Sequence, residues 1–582
     1  MIGGVFFEDG KEMNIHREQA GSPANQKPDL ENQETNGGKQ WLLVMMIPTL
    51  CFICAIFSSR LYLSNDNFTI SMIACGLYDE VGQCQYIHPF LSRLLRRVSV
   101  LIPGADVFML MGHFLVFLEL LWLSALMLQE EKSPLQLAFT SAFFVLFTLN
   151  LKLFNGNYTV QAASFAATGL YSLLVAQKRE GTWKIILVGM SFFSLAMMWR
   201  KQAAMLALPF LALGTAATVM NRDGQREDRK RAWTALLGCL VLAGTFWQTD
   251  AAMNADEAHM IARRYDNSRQ RIEDYPTRSW EEICEETDGE ITELDYLAAK
   301  TWTLFDTERM NAERLEKIAN LAGTTAFPFS LEGVAGAVFE SAQMVRTDKT
   351  SAWMGLLLAS LSLVGVVTLP KIQRLEIILC DLGTLIILLY FVIIGRAPDR
   401  LWQSVLVMPL SLICFLIRSS PTDQKPHFVI YTALICLVCG FAFSILQFEL
   451  IEKPQLAVNA RRNVDESEYA QMKESDAIYL VNVLFGPGYH LWNGKLPSKE
   501  LMNHMVFTGD WTYGQTYQIS RLKRLGIPNP AEALLERDDV FLVYKRPGLI
   551  LALLEARAGK PVEAEQIGTV ADTPIYRISI AS

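Results

Sequence analysis

The sequence predicts a mainly α, polytopic membrane protein of about eleven transmembrane helices, followed by an exoplasmic carboxyl-terminal α/β domain. Three observations lead there. Of 582 residues, 51% are hydrophobic and only 19% charged, with a mean hydropathy of +0.21, where a soluble chain of this length carries more charge. Apolar runs of about 16–24 residues recur, long enough to cross a hydrocarbon core of roughly 30 Å as helices, and lipid leaves such runs no other way to pair their backbone groups. From residue 448 onward the pattern changes to short strand-like and helix-like segments in alternation.

In chain order, residues 1–40 are polar and rich in Asn, Gln, Gly and Pro, which predicts a disordered cytoplasmic tail. Spans are expected at 41–57, 105–128, 135–151, 158–177, 184–199, 203–220, 233–249, 352–369, 376–395, 402–417 and 428–447. The first begins too late to be a cleaved signal peptide and reads as an uncleaved anchor. Together they define a transmembrane domain over 41–447. In the tail, "AIYLVNVL" and "DVFLVYK" read as strands, and "GQTYQISRLKRLG" and "GLILALLEARAG" as helices, giving strand–helix units over a modest sheet.

Basic residues in short loops set orientation. "QKREGTWK", "NRDGQREDRKRA", "PKIQRLE" and "IRSSPTDQKPH" all fall on one side if there are eleven spans, and that side is cytoplasmic. The protein is then a multi-pass cell-membrane protein with its amino terminus inside. A loop at 58–104, an acidic and mainly helical insert at 250–351, and the domain at 448–582 lie outside. Residues 251–350 hold 20 acidic and 11 basic residues, an excess of nine acids that covers the whole net charge of −8. Such a surface excludes nucleic acid as a partner.

Most of the ten cysteines lie inside spans, and their spacing suggests no metal site. Cys75 and Cys84 share the first exoplasmic loop, where a disulfide or two free thiols are both open. Cofactors stay unknown: a divalent cation is compatible with the sequence but not required by it.

The first exoplasmic loop carries the strongest chemical signals. Over 89–102, Phe90, Leu91, Leu94, Leu95, Val98 and Leu101 recur at helical spacing with Arg93, Arg96 and Arg97 opposite, the pattern of a helix lying in the membrane interface. Its arginines would meet anionic headgroups, or else frame a cavity for a lipid-linked phosphate. Asp66 follows almost directly on the first span, where a carboxylate can take a proton from a hydroxyl attacking a sugar carbon. Asp79 and Glu80 are the other candidates for that acid, and any of the three could instead be a solvated loop acid or a cap. Arg200 and Lys201 end the fifth span, and Arg396 and Arg400 the ninth, against the positive-inside trend. Headgroup contact would explain them, and so would an anion site for a lipid phosphate, to which Arg93 and Arg97 could contribute. Within spans, His113, Glu119 and Asp381 are costly in lipid and must face the bundle interior or snorkel.

"SNDN" after the first span, "HPFLSRLL", "WRKQAAMLALPF", "RYDNSRQRIEDYP" and "FTGDWTYG" resemble a group of bacterial multi-span proteins related to the type C membrane glycosyltransferases, from about residue 41 to the carboxyl end. The resemblance implies an acidic catalytic residue in the first exoplasmic loop, an interfacial helix beside it, an exoplasmic carboxyl-terminal domain and a polyprenyl-phosphate-linked sugar donor. It assigns the catalytic role to Asp66. Related sequences often carry a second Asp next; Asn67 stands there instead, which puts a two-carboxylate or metal-bridged mechanism in doubt unless Asp79 or Glu80 supplies the second acid. The expected function is an inverting transfer of a sugar to an envelope glycan or protein acceptor, with membrane lipids as further partners. Two other readings compete: a transporter or flippase for a lipid-linked or polar solute, which would need Glu119 and Asp381, and a non-catalytic envelope assembly protein, which would tolerate all these substitutions.

The orientation is testable by labelling single cysteines in intact cells. A cysteine placed in 448–582 should react before lysis; labelling only after lysis would overturn the topology and move Asp66 to the wrong side.

Overall fold

The structure is a computed structural model of the chain. It describes residues 45–46, 48–49, 52–53, 60–61, 65–78, 83–128, 157–178, 183–220, 225–287, 289–323, 330–396, 398–419, 442, 469–482, 491–492, 496–508, 511–570 and 572–581. The amino-terminal tail, the expected spans at 135–151 and 428–447, most of the span at 41–57, and Asp79 and Glu80 lie outside the described residues.

The helices that matter for the site run as follows. The first loop contributes α1 (Asn65–Ala74) and α2 (Pro89–Leu101); then come α3 (Val107–Leu128), α4 (Tyr158–Lys178), α5 (Trp183–Met205), α6 (Ala207–Met220) and α7 (Arg226–Met253). The insert supplies α8 (Glu257–Glu273), α9 (Glu293–Lys300), α10 (Ala312–Ala322) and α11 (Leu331–Thr347), and the bundle resumes with α12 (Lys349–Thr368), α13 (Lys371–Ile393) and α14 (Asp399–Arg418). Among the described residues, α3, α4, α5, α7, α12, α13 and α14 are the seven long and apolar enough to cross a membrane, as expected of a multi-pass membrane protein.

At the sixth expected span, 203–220, the boundaries differ from the sequence reading. α5 continues past 199 to Met205, and α6 is a shorter apolar helix beginning at Ala207. Pro209 explains the new start: without an N–H it is tolerated in a first turn but not in the interior of one long helix. Arg200 therefore does not end α5; it interrupts it, with extended backbone at φ −160°, ψ 94° inside an otherwise helical run.

α4 is the axis of the bundle, buried from Tyr158 to Gln177 except at Thr159. Its small residues allow close packing. At Gly169 an added Cβ would sit 2.8 Å from the Gly189 carbonyl oxygen of α5, so the two backbones cross with no room for a side chain.

α2 starts with Pro89 at its first position and His88 as N-cap, whose Nδ1 accepts from the Phe90 N–H. Its apolar side divides in two. Leu91 and Leu95 are buried against the protein, while Phe90, Leu94 and Leu101 are exposed. Cys75 and Cys84 are both buried and free, and the Cys84 N–H donates to Ser92 Oγ on α2.

The tail is a five-stranded mixed sheet. With β1 (Arg60–Leu61), β2 (Ile478–Asn482), β3 (Leu491–Trp492), β4 (Met505–Thr508), β5 (Val540–Val543), β6 (Val562–Val570) and β7 (Thr573–Ile580), its order is β4-β2-β5-β7-β6. β2 is parallel to β4 and β5; β7 is antiparallel to β5 and β6. The central strands are apolar except at the last residues of β2 and β4, Asn482 and Thr508, because both faces are covered. Tyr479, Val481, Met505, Phe507, Phe541 and Val543 join the core of the transmembrane domain and first loop. The alternate residues Ile478, Leu480, Val506, Val540 and Leu542 join the core of the insert, as a side-chain period of two requires. β1 of the first loop also pairs antiparallel with β3 of the tail.

Insert and tail are closed onto one another at Gly514, which has φ +76° and a Cβ position 2.4 Å from the Tyr265 ring. Gly514→Ala meets both the left-handed backbone and the ring, and should destabilise the protein by about 1–3 kcal/mol. Thermal unfolding in detergent measures it, and an unchanged midpoint would show that this contact is not tight.

Candidate functional site

A cavity of about 700 Å³ opens where the bundle, the first loop, the insert and the tail meet. Asp66 enters from the first turn of α1, not from a loop, a place where the helix dipole favours an anion. Tyr86 comes from the stretch before α2, Tyr158 from the start of α4, and Arg200 and Lys201 from the interruption of α5. Trp247 and Asp250 close α7, Asp266, Arg269 and Gln270 form the inner face of α8, and Arg396 and Arg400 flank the α13–α14 junction. Trp511 reaches in from the tail.

The interruption of α5 is held from outside. The His88 N–H donates to the Met198 carbonyl at 2.8 Å, and His88 Nε2 lies 3.1 Å from Thr249 Oγ1 on α7. Burial lowers the pKa of His88 and so favours its neutral form. Asn67 also has a structural place: it is fully buried, and its Oδ1 accepts the N–H of Tyr158 at 3.4 Å. It tethers the start of α4 to α1 where a second carboxylate would have stood.

Six cationic side chains (Arg200, Lys201, Arg263, Arg269, Arg396, Arg400) and four carboxylates (Asp66, Asp250, Asp266, Asp274) line the cavity, a formal excess of +2. The pairing is uneven. Lys201 is salt-bridged to Asp250, with Arg263 3.5 Å from the same carboxylate. Arg396 is bound by Asp274 at 2.9 Å and donates to Gln270 and to the Tyr275 hydroxyl. Arg269, almost fully buried, bonds Asp266 at 2.8 Å and also Glu273. Tyr86 donates its hydroxyl hydrogen to Asp266 at 3.1 Å and accepts from Arg269 at 3.1 Å. Burial and the neighbouring Asp266 push the Tyr86 phenol well above its usual range, so it stays a donor.

Arg200 and Arg400 differ from the others. Among the described residues neither has a carboxylate within ion-pair distance. The guanidinium of Arg200 sits between the rings of Tyr86 and Tyr158, 5.0 and 5.2 Å from their centroids, which orients it without neutralising it. Asp66 is likewise without a hydrogen bond or ion pair among the described residues. Among the described residues the cavity thus holds two cations with no carboxylate at ion-pair distance and one carboxylate with no hydrogen bond.

Of the residues nominated from sequence, Asp66, Arg200, Lys201, Arg396 and Arg400 share this cavity. Arg93 and Arg97 do not line it: both are exposed on the outer side of α2, whose buried face carries Leu91 and Leu95, and Arg93 reaches only Gln83. Arg96 turns back to the Cys75 carbonyl. Glu119 is buried elsewhere, accepting from Ser164 at 2.6 Å and Thr168 at 2.8 Å, and Asp381 accepts from Ser362 at 3.0 Å. His113 contacts the Met109 carbonyl one helical turn away. None of these three borders the cavity. Among the described residues no three His, Cys, Asp or Glu side chains are grouped to hold a metal ion.

Trp302 was not foreseen. It lines the cavity just after α9 and carries φ +61°. The Thr303 N–H bonds the Ala298 carbonyl at 2.9 Å, the closing bond of a Schellman motif, which puts Trp302 at the position normally held by glycine. A left-handed conformation costs a bulky residue roughly 1–2 kcal/mol.

No family model matches the chain, and no curated protein matches it. Among solved structures it is similar to the crystal structure of ArnT from Cupriavidus metallidurans bound to undecaprenyl phosphate. That match has 12% identity, covers 92% of this chain and 97% of that one, and has a TM-score of 0.37. A superposition this loose adds nothing to the site, which is read from this chain's own residues.

Arg269 holds the inner wall, and its removal leaves buried acids unpaired. Burial outweighs the attraction of Arg269 and pushes Glu273 up to about 8. A carboxyl whose folded value lies above its unfolded value stabilises the fold least once ionised, so stability falls as pH rises from about 4.5 towards 8. Arg269→Ala should cost about 3–5 kcal/mol because Asp266 loses its buried partner, and more above pH 8, where the parent Glu273 ionises and the variant's cannot, a part that Glu273→Gln should restore. Melting curves at pH 6 and pH 9 check this; a loss equal at the two would remove Glu273 from the account.

Proposed function

We propose that the cavity is the active site of a membrane glycosyltransferase that moves a sugar from a polyprenyl-phosphate donor to an envelope acceptor at the exoplasmic face. One observation carries the reading: Arg200 and Arg400, two cations without carboxylate partners, share a cavity with the unengaged Asp66. Asp66 removes the proton from an acceptor hydroxyl, and that oxygen attacks the anomeric carbon as the bond from that carbon to the phosphate oxygen breaks. The new glycosidic bond forms on the opposite face, so configuration inverts. The phosphate leaves with one more negative charge than it had in the donor, and the +2 excess of the cavity lining meets that growing charge. Arg200 and Arg400 bind the phosphate directly, by charge-assisted hydrogen bonds. Lys201 and Arg396, already paired with Asp250 and Asp274, hold the wall and add to the field. The chemistry of this step needs no metal, because the cations that receive the leaving charge are side chains.

The test is transfer of a labelled sugar from a polyprenyl phosphate monosaccharide by the purified protein, with binding of the same lipid measured in parallel. Asp66→Asn should slow transfer roughly 10²–10⁴-fold with donor binding little changed. Arg200→Ala and Arg400→Ala should each weaken donor binding about 10- to 100-fold. Arg396→Ala, expected from sequence to act in the same way, should weaken binding less, since Asp274 already engages it. Unchanged transfer by Asp66→Asn would sink the assignment of the base. Loss of transfer with Glu119→Gln and Asp381→Asn, but not with Asp66→Asn, would favour the transporter reading.

A further inference from the structure

We infer that Trp302, together with Trp511, is the saccharide-recognising element of this cavity: its indole stacks on a pyranose ring and selects which sugar is handled. The inference rests on the proposed function and concerns a part of the cavity that function does not use. The unpaired charged groups come from α1, α5 and the α13–α14 junction; the insert adds Trp302 beside its own paired charges on α8, and the tail adds Trp511.

These rings are tied to one another. The Arg269 guanidinium lies 5.6 Å from the centroid of the Trp302 ring. The same arginine donates to the Tyr86 hydroxyl, and the Tyr86 ring is 4.4 Å from that of Trp511 in an edge-on contact. Arg269 cannot shift, being locked by Asp266 and Glu273, so the two indoles are fixed relative to one another. Trp511 is 1% exposed, and its Nε1–H has no hydrogen-bond partner among the described residues. The indole nitrogen is closed off from the cavity, so Trp511 contributes its apolar ring surface and backs the wall in which Trp302 sits.

Trp302 gives the second and independent observation. It is half-buried, faces the cavity, and occupies a left-handed backbone position where glycine would be free of strain. A large aromatic side chain kept at such a point indicates that its ring is needed there. A pyranose has a face of C–H groups and an equatorial rim of hydroxyls. An indole offers a broad π-face to the first, with polar neighbours such as Gln270 and Asn267 for the second.

The ring recognised could belong to the donor or to the acceptor, and binding measurements separate the two. The probes are bare polyprenyl phosphate, polyprenyl phosphates carrying glucose, mannose, N-acetylglucosamine or a pentose, and the methyl glycosides of those sugars added to protein preloaded with bare lipid. Trp302→Gly removes the ring and suits the backbone, so it keeps the fold; Trp302→Phe keeps a ring. The expected result is a loss of about tenfold in Trp302→Gly for a sugar-bearing probe, largely restored in Trp302→Phe, with bare lipid bound as by the parent. Loss confined to glycosylated lipid assigns the donor sugar; loss confined to free glycosides assigns the acceptor. Equal binding of all probes by parent and Trp302→Gly, or an equal loss of bare and glycosylated lipid, would overturn the role of Trp302 while leaving the phosphate site standing. A parent protein that binds no polyprenyl phosphate at all would overturn both.

Discussion

A guanidinium or ammonium group taken out of water needs a partner, and this requirement organises the region where the four parts of the chain meet. Lys201 has Asp250, Arg396 has Asp274, and Arg269 has Asp266 and Glu273. Each pair joins elements far apart in the sequence or locks one helix face, so the walls of the cavity are fixed by ionic contacts that are costly to break. Against that background the two cations left without carboxylates stand out. Arg200 is kept in position by two aromatic rings rather than by an acid, and its charge is therefore available. Satisfied pairs make the frame, and the proposed chemistry falls to the groups that no carboxylate engages among the described residues.

The bundle was legible in the sequence because crossing a hydrocarbon layer demands length and apolarity, and both can be counted along the chain. The basic pairs at 200–201 and 396–400 were legible for a related reason: on the orientation the loop charges suggest, they fall on the side that usually lacks cations. What the sequence could not show was which of those cations are neutralised. Asp250 and Asp274 lie 49 and 122 residues from the groups they bind, and no local pattern announces such partners. "RYDNSRQRIEDYP" was noticed only for its resemblance. Nothing local in it marks which charges are buried, yet Asp266 and Arg269 are, with Tyr86 of the first loop bonded to both. Arg93 and Arg97 were misplaced for the opposite reason: α2 has two apolar sides, and the one that docks on the protein turns them outwards. Trp302 left no signal, since a left-handed backbone angle at a tryptophan is a property of tertiary structure.

The central sheet of the tail links the two cores. Because successive residues along β2, β4 and β5 face opposite ways, one short strand belongs to the core of the bundle and to that of the insert. The extended interruption at Arg200 has a similar joining role. It lets α5 deliver two adjacent cations to the cavity wall, and His88 braces it from the first loop. Both features put precise positions in the hands of backbone geometry, which tolerates little movement, rather than of long side chains.

The pairing of β1 with β3, and the arrival of Trp511 from the far end of the chain, bear on how the protein is made. Asp66 leaves the ribosome early, whereas Trp511 follows only after some 445 further residues, by the difference of their numbers. Throughout that interval the charged walls stand without their last side, and the edge of β1 has no strand to pair with. Synthesis of this protein therefore passes through a stage in which the cavity is half built. The cavity is complete only once Trp511 has been added.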